Sequence, residues 1–266
     1  LTSGLVPIIS NSEMDSYATK FLQEFCPEAI ETPTKLKVEE MLRKKGITVY
    51  YAPLGDDVFG KTYFAKDKAT VYLTKLGFGE QGEIEVEPGT ILINLFKHLN
   101  YPDGVYRNTI VHEAVHWYFH RNFFELRLLL NPEETHVTCS KGNTDIFDSD
   151  TQWMEWQARS LAPKILMPKK AALKEYDILL EKIKAEDKEN GVVSDTFDVN
   201  KRLLKAFAAF FGVSKESAKI RMIELGKKGF DGIENYVDGD YIKPFVYNPT
   251  KLKKHQTYII GLDDFL

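Results

Sequence analysis

Residues 47 to 95 restrict the fold more than any other stretch of the chain. The runs ITVYYA (47–52), KTYFA (61–65), ATVYL (69–73), EIEVE (83–87) and TILINL (90–95) are short, rich in β-branched and aromatic residues, and separated by Gly, Asp or Pro. Their connections are too short for helical crossovers, so they predict one small, mostly antiparallel sheet. Helical period flanks it on both sides. Met14, Tyr17, Phe21 and Phe25 recur at helical spacing before Pro27, and Leu36, Met41 and Leu42 follow Pro33, with Gly46 as a cap. After Pro102 the period returns over 105–121, with Asp103 as N-cap. Residues 131–149 are polar and read as a loop or small excursion. SDTQ (149–152) matches a capping box that opens another helix, and further helices are predicted over 170–189, 199–212 and 215–226. The expectation is an α+β protein in three parts: 1–168 with the sheet, 169–229 as a C-terminal helical lobe, and 230–266 as an irregular segment with strand-like ends.

With 266 residues, 43% of them hydrophobic, the chain can bury a full-sized core, which excludes disorder and a disulfide-stapled miniature. A formal charge of -4 argues against a chain-wide nucleic-acid or membrane footprint. No apolar run approaches the roughly 18 residues that span a bilayer. Cys26 and Cys139 are the two cysteines, and with no secretory start they predict packing roles in a reducing, cytoplasmic setting. Leu1 in first place points to a segment in front of it.

IVHEAVHWY (110–118) holds the chemistry. On a helix, residues four apart differ by about 400° of rotation and about 6 Å of rise, so His112 and His116 project from one face and can chelate one metal ion. Glu113 sits beside them, placed for a water rather than for the metal. Ile110, Val111, Ala114, Val115 and Tyr118 supply the apolar packing. With six histidines in the chain, a random sequence would show His-Glu-x-x-His on the order of once in a hundred.

Catalytic zinc takes three protein ligands and keeps one position open. His120 continues the series but lies about 12 Å along the axis from His112, too far to share a tetrahedron on a straight helix. The H-E-x-x-H-x-x-G-x-x-H solution is missing, because Trp117-Tyr118-Phe119-His120 has neither the Gly nor the spacing. A carboxylate on a following helix is therefore expected. The candidate is Glu155 in WMEWQARSLAPKILMP (153–168), where Ala158, Leu161, Ala162 and Ile165 face the core and Pro163 is expected to kink or end the helix. Glu133, Glu134, His136, Asp148 and Asp150 are alternatives.

These residues resemble the ImmA/IrrE zinc metallo-endopeptidases, in which an Arg precedes the H-E-x-x-H helix and a Glu opens a small-residue helix that ends in L-L-M-P. The chain has Arg107, His112, Glu113 and His116, then Glu155, Ala158, Leu161, Ala162, Leu166, Met167 and Pro168, and later FGVSKESAKIRMIELG (211–226). The resemblance spans roughly 27–228. It implies a zincin-like, gluzincin-type fold for the 1–168 region, with His112, His116 and Glu155 as zinc ligands and Glu113 as general base. It further implies a bacterial or phage-type regulatory protease that cleaves a specific protein, often a helix-turn-helix repressor. Arg159 stands where that family usually carries Asn or Asp, and an Arg there is expected to pair with a carboxylate, Glu155 among them.

A rival reading rests on 203–226, which has the helix, Gly-Val-Ser turn and helix of a DNA reader. Residues 201–228 carry eight basic residues against Glu216 and Glu224. Within a metallopeptidase, a helical lobe with a solvated face accounts for the same pattern. A third reading is a scaffold that binds a partner through a degenerate metal site, for which Arg159 is the specific support. Trp117, Trp153 and Trp156 read as core packing rather than a ligand platform.

Overall fold

The computed structural model is α+β and describes residues 6–72, 80–100, 102–132, 135–140, 149–227 and 229–230, with short strand pieces at 235–237, 240–242, 245–246 and 257–258. Its principal strands are β1 (Thr48–Ala52), β2 (Val58–Tyr63), β3 (Asp67–Tyr72), β4 (Gln81–Val86), β5 (Thr90–Asn94) and β6 (His136–Ser140). The helices are α1 (Met14–Phe25), α2 (Val38–Arg43), α3 (Leu95–Asn100), α4 (Asp103–Val115), α5 (Arg121–Leu130), α6 (Ser149–Leu166), α7 (Lys169–Glu189), α8 (Thr196–Phe211) and α9 (Lys215–Glu224). Contacts divide the chain into two units, Leu1–Ala172 with Phe211–Ser214, and Leu173–Phe210 with Lys215–Leu266. Among the described residues, no helix is long and apolar enough to cross a membrane.

In the first unit the strands do not form one mostly antiparallel sheet. Four of them make a mixed sheet in the order β1-β5-β2-β6, and β3 and β4 form a separate antiparallel hairpin. β1 pairs with β5 in parallel, whereas β2 runs antiparallel to both β5 and β6. Short links between consecutive strands do not forbid a parallel pair when β2 and the hairpin together serve as the crossover. β5 is central, and all five of its residues are buried, as a strand covered on both faces requires. The Asn94 side-chain amide, at its end, donates to the carbonyls of Val58 at 2.7 Å and Gly55 at 3.0 Å, which fastens the turn that leads into β2.

α4 lies at the centre of this unit. Residues 109–115 are buried without a polar face to solvent, the mark of a helix enclosed on all sides. It packs on β2 and β5 on one side and on α6 on the other. The α6 contact is made of small and medium residues that are fully buried: Ala114 from α4, and Ala158, Leu161, Ala162 and Ile165 from α6. α1 covers α6 in turn through Met14, Ala18, Phe21 and Leu22. One local expectation fails, and of the two outcomes expected at Pro163, a kink or an end, the end is not found. Pro102, rather than Asp103, caps α4, which leaves the Asp103 carboxylate in the first turn at the positive end of the helix dipole. α6 also does not end at Pro163: it continues to Leu166, and the Met167 amide donates to the Pro163 carbonyl at 3.0 Å. Proline removes one donor, but tight packing on both sides holds the helix together beyond it.

In the second unit, Leu203, Leu204, Phe207, Ala218 and Met222 form the buried face of α8 and α9. Arg202 pairs with Asp187 and with Glu186, and the Lys227 ammonium lies 3.8 Å over the Tyr176 ring.

Truncating Leu161 to Ala removes a fully buried side chain from the α4–α6 contact and should cost about 2 to 5 kcal/mol. Urea unfolding followed by the fluorescence of Trp153 and Trp156 reads this directly. A cost below about 1 kcal/mol would show that this helix pair is not the core of the unit.

Candidate metal centre

α4 does not end as an ordinary helix. It passes into a π-helical turn at His116–His120 before resuming as α5. The inserted residue rotates everything beyond it by about 100°, one residue's share of a turn. Tyr17 and Phe21 of α1 pack against Phe119 in this turn, and Phe21 meets Tyr118 edge-on at 5.4 Å. His112 and His116 therefore project from a rigid, buried wall.

The two imidazoles place their Nε2 atoms 3.1 Å apart. α6 brings Glu155 against them, with one carboxylate oxygen 3.3 Å from His112 Nε2 and the other 3.2 Å from His116 Nε2. Metal bonds of about 2.0–2.1 Å at tetrahedral angles put neighbouring donor atoms roughly 3.3 Å apart. The three side chains thus form a group that could hold a metal ion, and imidazole nitrogen with carboxylate oxygen suits a divalent ion of borderline softness. Burial pushes the Glu155 carboxyl up, but the adjacent His116 and His112 outweigh burial and hold it far below the usual carboxylate range. Glu155 is a carboxylate at any working pH, as a ligand must be.

Glu113 faces the sheet side of the same group and is fully buried. Thr62 of β2 lies 2.6 Å from Glu113 Oε2 and 3.1 Å from the Glu113 backbone carbonyl, so its hydroxyl donates to the carboxylate or to the main chain. Glu113 Oε1 has no hydrogen-bond partner among the described residues. Burial pushes this carboxyl up to about 7, against the opposing effects of His116 and the Thr62 hydrogen bond. The strand opposite is shaped for it. A Cβ on Gly60 would stand 2.9 Å from Glu113 Oε1 and 3.1 Å from Thr109 Cγ2, so only glycine admits the carboxylate there. The β2–β6 register shifts between Val58 and Gly60, a bulge of the kind found beside functional sites.

The other candidates are placed as follows. Arg159 lies 3.9 Å from a Glu155 oxygen and is 60% exposed, a loose pairing at the solvent side of the ligand carboxylate. Arg107 stands away from the ligands: its Nε donates to the Gly212 carbonyl at 3.0 Å. His120 is not a ligand. Its Nδ1 meets His116 Nδ1 at 3.0 Å, and its Nε2 meets the Gln157 side-chain oxygen at 2.9 Å. His136 pairs with Asp67 at 3.7 Å on the sheet, and neither it nor Asp150 joins the ligand group. Glu133, Glu134 and Asp148 lie outside the described residues. Of the basic residues around the helix pair, Arg202 is paired with two acids, and Arg221 is buried with Glu224 at 3.2 Å. Trp153 and Trp156 stack on each other at 4.6 Å, and Trp117 stacks on Phe64 at 5.7 Å.

Sequence reasoning missed Thr62, Gly60, Gln157 and the Pro7 carbonyl, which accepts from Gln157 Nε2 at 2.6 Å. Gly60 interrupts an otherwise strand-like run, and that is the only local signal among them. No protein-family model matches the chain, and no curated protein matches it.

Two outcomes test this geometry. A metal titration should give one bound Zn²⁺ per chain. Glu155→Ala should weaken binding by more than the roughly 10–100-fold that a supporting residue is worth, and equal affinity in both proteins would remove Glu155 from the ligand set. The second concerns Glu113 after chelation. Its folded pKa is raised from 4.5 to about 7, so the folded state holds a proton that the unfolded state has lost between those values, and stability falls as pH rises through that window. Chelated Glu113→Gln lacks this penalty and should exceed the native protein's stability by roughly 3 kcal/mol at pH 8, but by little at pH 4. A gap independent of pH would contradict the assignment.

Proposed function

We propose that the chain is a zinc-dependent endopeptidase of the ImmA/IrrE kind, with a zincin-like arrangement in its first unit, and that it cuts a specific protein. The observation that carries this reading is the spacing of His112, His116 and Glu155 at 3.1–3.3 Å, with an orphaned carboxylate oxygen of Glu113 buried beside them. A plain structural role leaves both facts without a reason, because burying an unpaired carboxylate oxygen costs free energy that folding does not recover.

A zinc ion bound there supplies Lewis acidity toward a carbonyl and lowers the pKa of a water. The chain's own residues do the rest. Glu113 takes a proton from the attacking water and delivers it to the leaving amine, a role that needs a carboxyl poised near neutral pH. Thr62 holds Oε2 and leaves Oε1 free to face the water. The buried walls of α4 and β2 keep the surroundings at low dielectric, where each of these charges acts more strongly. Glu155 stays ionised and keeps its place through the α4–α6 packing. Arg159 is mostly exposed beside Glu155.

The resemblance extends the proposal to a helix-turn-helix repressor as substrate, in a cytoplasmic, regulatory role. Direct duplex reading by 203–226 gains less support, since Arg202 and Arg221 are occupied within the protein.

The test is a diverse peptide library incubated with the zinc-loaded protein and read by mass spectrometry. Native protein should cut a narrow set of sequences, and Glu113→Gln should lose about 10²–10⁴-fold in rate while keeping its zinc. Cleavage that survives both Glu113→Gln and chelation would sink the mechanism.

A further inference from the structure

Behind the ligand face, a line of buried groups runs from the metal centre to the N-terminal segment. His116 Nδ1 lies 3.0 Å from His120 Nδ1, His120 Nε2 lies 2.9 Å from Gln157 Oε1, and Gln157 Nε2 lies 2.6 Å from the carbonyl oxygen of Pro7. His116, His120 and Gln157 are each 0–1% exposed, so none can exchange its partner for bulk water.

The direction of every hydrogen bond in this line follows from its far end. A backbone carbonyl only accepts, so the Gln157 amide must turn its NH₂ toward Pro7 and its oxygen toward His120. Trp153 Nε1, which donates to the same carbonyl at 3.2 Å, adds a second donor and fixes that oxygen further. The Gln157 oxygen also only accepts, so the hydrogen between it and His120 sits on His120 Nε2. The two His120 nitrogens lie against His116 and Gln157, neither of them a carboxylate, so a second proton on this 0% exposed ring would bury a charge with no counterion in contact; the single proton on Nε2 leaves Nδ1 as a bare lone pair. The proton between the two rings must then belong to His116 Nδ1. With its proton on Nδ1, His116 turns an unprotonated Nε2 toward His112 and Glu155. The reverse assignment would set two lone pairs against each other at 2.9 Å between His120 and Gln157.

We propose that His120 and Gln157, anchored on the Pro7 carbonyl, are positioning residues that keep the proton of His116 on Nδ1 and so present Nε2 to the metal. The need for them is visible in the site itself. The Glu155 carboxylate, 3.2 Å from His116 Nε2, by itself draws a proton onto the atom that a metal requires bare, and the line behind the ring supplies the opposing pull. The role also accounts for a histidine four residues beyond the second ligand that coordinates nothing, and for the π turn that carries it. This inference rests on the metal-centre reading and is independent of what the protein cuts.

The experiment uses full-length protein labelled with ¹⁵N-histidine, both chelated and loaded with Zn²⁺. Long-range ¹H–¹⁵N spectra should show protons on His116 Nδ1 and on His120 Nε2, with His120 Nδ1 bare, in both samples. Gln157→Leu removes the acceptor and should scramble the His120 tautomers and weaken Zn²⁺ binding by about 10–100-fold. A proton on His120 Nδ1 in the native protein would overturn the proposal, as would native zinc affinity in a folded Gln157→Leu. If the native protein binds no Zn²⁺, the metal-centre reading fails by itself, and the spectrum of the chelated protein still decides whether the line runs in the stated direction.

Discussion

The contact between α4 and α6 is the interaction on which the rest of the first unit depends. α4 and α6 pack on each other, Ala114, Ala158 and Ala162 are fully buried, and Glu155 reaches both imidazoles. A group with two members on one helix and the third on another exists only while those helices are packed. Any ion that binds it therefore draws on folding free energy and returns stability to the same contact.

Irregular backbone gathers around this contact. The π turn begins at His116, the β2 bulge falls between Val58 and Gly60, and Pro163 sits inside α6. Each breaks a local rule at a cost in hydrogen bonding or conformational freedom, and each lies on an element that lines the buried group. The same pattern holds for polarity. Glu113, His116, His120 and Gln157 are polar groups buried where apolar side chains would pack more cheaply. These departures from the most stable choice concentrate around the His112, His116 and Glu155 group.

Much of this was legible beforehand because it is periodic or local. Five strand runs are found within a few residues of their expected limits, and the helices of 14–25, 103–120, 149–166 and 169–224 follow the apolar spacing, whereas α3, α5 and β6, the last inside the stretch read as a loop or small excursion, were not anticipated. What periodicity does not encode was misread. The parallel pairing of β1 with β5 depends on how a hairpin folds out of the way, and the passage of α6 through Pro163 depends on packing from both sides. His120 lies outside the His112, His116 and Glu155 group, and its contacts behind His116 run through Gln157, thirty-seven residues away, to a main-chain carbonyl that carries no side-chain signature. Thr62 is in the same position: a threonine in a strand is ordinary until α4 lies across it.

By itself, the sequence determined most of the secondary elements, the α+β class, and the pairing of His112 with His116 on one face, because each follows from the geometry of a single helix or strand. It also narrowed the third ligand to a carboxylate beyond the second histidine, since two imidazoles leave a site incomplete. Tertiary structure alone decided that Glu155 is the carboxylate that arrives beside the two histidines, that Gly60 and Thr62 shape the surroundings of Glu113, and that His120 stands behind His116. These are distances between residues far apart in the chain, fixed by which faces pack together, and no local pattern carries that information.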